Sequence, residues 1–324
     1  MNVVISNLLI TRVCPLKCEN CRVSKDYEGS PYPSIDSYKL LTPVEWLENI
    51  KILESLGCVF QTIYGGEPVV YPWLEKLVKL LNDNDVYYTF ITSGLNSKRW
   101  FEIQKEIGIK GISASVDIIP NGGDRGRKSS IGEVFLYEMK KLRVPDVVAV
   151  TVLDESNIQI DNVLGLIKRF SDNGIYVEIT LMDEPKSEWY DFAEETGLSI
   201  KSKERFNELM GSIKKMKELG YLIHNNTEFF DVAKDVIVNG YYCKRPYTSL
   251  TVEPDGVIRT CYRLGGREVR KYKVQDLVHK EEEILEAFEK DRKELCGGCV
   301  WNCVIQSEFM MDKQDKFKSF RHNQ

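Results

Sequence analysis

From residue 2 to about residue 180, short apolar runs alternate with amphipathic stretches. The runs at 3–12, 59–64, 86–91, 111–116, 147–152 and 176–180 are rich in Val, Ile, Tyr and Phe, as expected of strands covered on both faces. The stretches between them carry helix signals. Thr42-Pro43-Val44-Glu45 reads as an N-cap, a proline at the first helical position and a capping-box glutamate, with Trp46, Ile50, Leu53 and Leu56 following at helical spacing. Residues 73–81, 97–107, 131–142 and 160–170 read similarly. Six strands alternating with helices predict an α/β fold with a parallel sheet and right-handed crossovers, either doubly wound or a partial barrel. In such sheets ligands sit at the carboxyl ends of the strands.

Past residue 183 the rhythm changes. Residues 206–219 predict a long helix with a lysine-rich face, better read as solvated than as a binding patch. Leu250 to Arg259 reads as two strands around a Pro254-Asp255-Gly256 turn. A domain change is placed at 185–240.

Composition narrows the function classes. The chain has 324 residues, 43% hydrophobic and 29% charged, with a formal net charge of −5. That size permits a well-buried core, and the acidic balance disfavours nucleic acid and anionic membranes as partners. The apolar N-terminus lacks a basic n-region and a cleavage site, and no run reaches the roughly 20 apolar residues of a membrane span. The expected location is the cytoplasm. Eight of the nine cysteines fall into two groups, with Cys58 alone. In a reducing compartment, clustered cysteines point to metal rather than to disulfides.

The first group, Cys14, Cys18 and Cys21, has the spacing C-x3-C-x2-C directly after a strand. Three thiolates this close can hold a cubane iron–sulfur cluster and leave one iron without a protein ligand. A structural zinc ion wants a fourth ligand, and no Cys or His follows nearby. Tyr64-Gly65-Gly66-Glu67-Pro68 follows the second strand; paired glycines allow close backbone approach, and proline fixes the exit.

Together these motifs resemble the radical S-adenosylmethionine (SAM) superfamily. The resemblance covers residues 3–180 and departs at Asn20, where the family usually has an aromatic residue. It implies a partial (β/α)6 TIM-like barrel at 1–184, with a 4Fe-4S cluster on Cys14, Cys18 and Cys21. In that family the open iron is chelated by the methionine moiety of SAM, and the resemblance implies that reductive cleavage gives a 5′-deoxyadenosyl radical that takes hydrogen from substrate. Gly65, Gly66, Glu67 and Pro68 match the family's GGEP segment, which implies that they hold the SAM amino group. Ser93, in Thr92-Ser93-Gly94, and Ser115, in Ser113-Ala114-Ser115-Val116-Asp117, match its later SAM-contacting turns more weakly. A flavodoxin- or ferredoxin-type electron donor is implied as well.

Cys243 and Cys261 form C-x12-G-x4-C around the predicted hairpin, and Cys296, Cys299 and Cys303 follow a helix at about 281–293. This resembles a SPASM domain shortened to its twitch form, which implies a second 4Fe-4S cluster at 241–324 beyond a helical bridge at 185–240. Cys243, Cys261, Cys296 and Cys299 are its candidate ligands, with Cys303 able to replace one. A four-cysteine zinc site is the competing reading. The expected activity is oxidation of a small molecule, since no peptide-recognition domain precedes the first strand. A maturase acting on a ribosomally made peptide is the alternative, and a non-catalytic iron–sulfur or zinc protein the third reading. The C-terminal cysteine spacing and the Arg321-His322-Asn323-Gln324 ending disfavour molybdopterin biosynthesis. Catalytic residues are not identifiable; Asp117 and Tyr64 are candidates by position. The Gly122-Gly123-Asp124-Arg125-Gly126 segment predicts a mobile loop, Cys58 a buried apolar residue, and the three histidines no metal site.

Overall fold

The computed structural model describes residues 3–16, 18, 21, 39–118, 129–181, 200–239, 246–259 and 269–295. Strands β1 (Ile5–Leu9), β2 (Phe60–Tyr64), β3 (Tyr88–Thr92), β4 (Gly111–Ser115), β5 (Asp146–Leu153) and β6 (Tyr176–Leu181) alternate with helices α1 (Pro43–Ser55), α2 (Leu74–Asp83), α3 (Ser97–Glu106), α4 (Ser129–Lys141) and α5 (Ile160–Ser171). Every predicted strand and helix of this half is present. The capping box forms as read: Glu45 N–H donates to the Thr42 hydroxyl, and Thr42 N–H donates to the Glu45 carboxylate at 2.7 Å. Helices α6 (Lys203–Glu218) and α7 (Thr227–Asn239) follow; the second was not anticipated. Strands β7 (Ser249–Val252) and β8 (Ile258–Arg259) form the predicted hairpin, with Gly256 at φ +85° in its turn, and α8 (Glu281–Leu295) comes last.

The strands form one open sheet in the order β6-β5-β4-β3-β2-β1-β7-β8, parallel throughout except for β8. The hairpin, read from sequence as part of a separate C-terminal unit, therefore extends the main sheet. β7 lies parallel to β1, pairing Ile5 with Ser249 and Leu8 with Val252. The predicted Gly-rich loop at 122–126 and the bridge residues up to 199 lie outside the described residues.

Register sorts the side chains into two faces. Leu8, Ile63, Phe90, Ile112 and Val147 are successive cross-strand partners, and all lie in one buried cluster with Trp46 of α1 and Trp100 of α3. That parity is the helix-packed face. The opposite parity faces away from the helices and carries a different chemistry. Asn7, Thr62 and Thr89 pair across β1, β2 and β3, while Ser115, Val150 and Glu178 pair across β4, β5 and β6.

Candidate functional site

The chain leaves β1 through Thr11, Arg12 and Val13 directly into the cysteine loop. This exit strand is stitched to the glycine segment: Gly66 N–H donates to the Thr11 carbonyl at 2.7 Å, and Glu67 N–H to the Val13 carbonyl at 2.9 Å. A Cβ on Gly65 would lie 2.5 Å from the Thr11 carbonyl oxygen, and one on Gly66 would overlap the Val13 carbonyl. The paired glycines thus allow the root of the cysteine loop to lie flat against them.

Cys14, Cys18 and Cys21 are half-buried and share no disulfide. Cys21 N–H donates to the Cys18 carbonyl at 3.1 Å, closing a turn between them, and Leu16 N–H donates to the Cys14 sulfur at 3.4 Å. Burial pushes the Cys14 thiol up to about 11, with the nearby Cys21, Glu67 and Cys18 adding to the rise and the Leu16 amide opposing it. Cys14 therefore lies within electrostatic reach of both Cys18 and Cys21. Among the described residues, no three His, Cys, Asp or Glu side chains gather around one metal ion. A cubane asks for less convergence, because each thiolate binds its own iron. A half-buried trio on one turn with an amide already aimed at sulfur suits such a group.

Glu67 is 1% exposed. Its carboxylate accepts from Val69 N–H at 3.3 Å, from the Thr92 hydroxyl, and from the Ser93 N–H at 2.8 Å and hydroxyl at 2.6 Å. It thereby caps the 3-10 turn Pro68–Val70 and ties the end of β2 to the end of β3. Two of the predicted SAM-contacting residues, Glu67 and Ser93, are thus bonded to each other. Ser115 stands half-buried at the end of β4 on the open face, with Asp117, 8% exposed, two residues on. Tyr64, half-buried, pairs with Leu9 on the same face.

Sequence reasoning missed a second charged cluster. Glu253, just after β7, is gripped by Arg12 and by Arg259 of β8, and all three are 6% exposed or less. The signal lay in the sequence: charged residues end otherwise apolar runs at 12, 253 and 259. A third polar group stands on β6, where His224 Nδ1 lies 3.1 Å from Glu178 Oε2. Burial works against the charge on His224, but the hydrogen bond and charge of Glu178, with Asp146 behind it, outweigh burial and raise its pKa.

Cys243, Cys261, Cys296, Cys299 and Cys303 lie outside the described residues. The separation from molybdopterin biosynthesis, which leans on their spacing, therefore rests on sequence alone. Cys58 is buried, as expected, between the Phe60 carbonyl and the Gln61 amide, each at 3.4 Å. No helix among the described residues is long and apolar enough to cross a membrane.

Comparison with known proteins agrees with this geometry. The family described as "Radical SAM superfamily" matches residues 8–196, more than half of the chain. A GTP 3′,8-cyclase of Aquifex aeolicus (strain VF5) is 26% identical over 298 residues, covering 88% of each chain. A GTP 3′,8-cyclase of Staphylococcus saprophyticus is 25% identical over 197 residues, and the match spans only 56% of its length. Among solved structures, SuiB of Streptococcus suis bound to the precursor peptide SuiA aligns with a TM-score of 0.60 at 15% identity, over 87% of this chain and 66% of that one. At that identity the likeness speaks for the fold.

Proposed function

Because this chain belongs to the radical SAM superfamily, a family whose members carry a 4Fe-4S cluster and SAM, we propose that Cys14, Cys18 and Cys21 hold that cluster and that the open face beneath them presents a substrate for hydrogen abstraction. Once bound, the cluster supplies the electron that splits SAM into methionine and a 5′-deoxyadenosyl radical. The observation that carries the reading is the junction of the three-cysteine loop with Gly65-Gly66 through two backbone hydrogen bonds. It brings the root of the three-cysteine loop and the Gly65-Gly66 segment onto adjacent strand ends.

The residues of the chain divide the remaining work. Gly65, Gly66 and the adjoining backbone accept the SAM ammonium group, while Glu67 keeps β2 and β3 in register around it. Ser93 completes that link, and Ser115 faces the ribose. The open face sets the substrate C–H toward the radical carbon. The outcome we favour is a two-electron oxidation: a C–H hydrogen moves to the deoxyadenosyl carbon, and the substrate then loses a second electron and a hydroxyl proton to give a carbonyl. Cys243, Cys261, Cys296 and Cys299 would hold a second cluster, which would supply an acceptor for that electron. A second reading, radical ring closure of a purine nucleotide, is favoured by the 26% identical cyclase, which covers 88% of the chain.

The test is anaerobic. Reconstituted, dithionite-reduced protein mixed with SAM should release 5′-deoxyadenosine, and Cys18→Ala should abolish it. An iron–sulfur carrier would release none. GTP converted to a cyclised product would decide for the second reading, and a carbonyl product with no ring closure for the first.

A further inference from the structure

The open face has a polar floor where a closed barrel would be filled with branched apolar side chains. Arg259, Thr251, Asn7, Thr62 and Thr89 are successive cross-strand partners over β8, β7, β1, β2 and β3. Most of the row is spoken for. Arg259 is fully buried against Glu253, Thr251 and Thr89 are 2% and 7% exposed, and one Asn7 amide hydrogen is donated to the Ser249 hydroxyl at 2.9 Å. Asn7 and Thr62 are half-buried neighbours in register. Among the described residues the Asn7 amide oxygen and the Thr62 hydroxyl have no hydrogen-bond partner. They form a neutral acceptor and a neutral donor–acceptor side by side, partly out of water, on the strands that lead into the cysteine loop and the glycine segment.

We propose that Asn7 and Thr62 are the specificity-determining pair for the substrate, and that this substrate is an uncharged, polyhydroxylated small molecule whose hydroxyl groups they bind. The inference rests on the radical reading above and deepens it. A phosphate or carboxylate would call for charge-assisted, bidentate partners, and among the described residues the Arg259 guanidinium of this row and that of Arg12 are paired with Glu253. Neutral partners suit hydroxyl groups, and a site of this kind rejects an analogue lacking them because its own polar atoms are then left unpaired. Hydrogen abstraction from a carbon bearing one of those hydroxyls leads to the carbonyl product proposed above.

The test uses a small-molecule extract of the source organism grown in D2O, divided by an anion exchanger and a size filter and supplied with SAM to the reconstituted, reduced full chain. Mass spectrometry reads the deuterium in released 5′-deoxyadenosine. Deuterium is expected from the low-mass flow-through of the anion exchanger. The ratio of deuterated to total 5′-deoxyadenosine should fall at least tenfold in Thr62→Val and in Asn7→Leu, with Thr62→Ser restoring it. Deuterium from the retained anionic fraction or from the peptide-sized fraction, or from none, overturns the substrate class. Unchanged ratios in both variants overturn the role of the pair. Absence of 5′-deoxyadenosine altogether would instead overturn the radical reading itself.

Discussion

At the scale of single residues, the glycine pair decides the geometry. Gly66 has no room for a Cβ because the Val13 carbonyl fills that space. Gly66→Ala should displace the exit of β1 and lower iron loading several-fold after reconstitution, while far-UV circular dichroism stays native; wild-type iron content would contradict this. Glu67, matched in sequence to ligand binding, also serves as a strand-to-strand tie, a function invisible without the positions of Thr92 and Ser93. Electrostatics at this scale are also testable. Arg99 donates two bonds of 2.6 Å to the two oxygens of Glu75, holding that carboxyl below its ordinary value of 4.5. A depressed pKa contributes stability that is complete above the unfolded value and lost as pH falls through the folded one. Denaturation of wild type and Arg99→Leu should therefore differ most above pH 4.5 and differ less in acid, where only the Arg99 bond to the Val69 carbonyl still separates them. A gap that stays constant down to pH 2 would contradict the pairing.

At the scale of elements, the sheet's free edge carries its own closure. Asn225, fully buried, accepts from the Ile179 N–H at 2.7 Å and donates to the Ile179 carbonyl at 2.8 Å. Its amide stands in for a neighbouring strand where β6 would expose pairing groups. Asn225→Leu leaves both Ile179 groups unpaired, at roughly 1–3 kcal/mol each, and should lower the urea midpoint without changing the transition's slope. A neutral result would show that the edge tolerates water. The strands and helices of the first half were legible in sequence because each is a short apolar run or a well-capped amphipathic stretch. α7 was not, because Asn226 and the first-turn Glu228 form only a partial start signal, without the proline and capping-box glutamate that marked α1. Membership of the hairpin in the main sheet was also hidden, since a pairing between β1 and β7 spans more than 240 residues and leaves no local pattern. The cysteine loop and glycine segment were legible because their chemistry fixes residue type and spacing. The Asn7–Thr62 floor was not, because two neutral polar residues within strands look ordinary until register makes them neighbours.

At the scale of the whole molecule, the Arg12–Glu253–Arg259 cluster joins the first strand's exit to the last hairpin across most of the chain's length. A carboxylate buried between two guanidiniums is a fastening that fails badly when broken: Glu253→Gln should cost about 3–5 kcal/mol, read by chemical denaturation, and a loss below about 1 kcal/mol would show the cluster to be hydrated. That fastening fixes the exit of β1, from which the proposed cluster-binding cysteines follow. Pulsed electron–nuclear resonance on the reduced protein, with SAM labelled by 15N and 17O in its methionine amino and carboxylate groups, tests the proposed meeting of cluster and SAM directly. Hyperfine coupling to both labels, lost in Cys14→Ala, is the expected result; a cluster signal with no coupling to either label would contradict an open iron held by three cysteines.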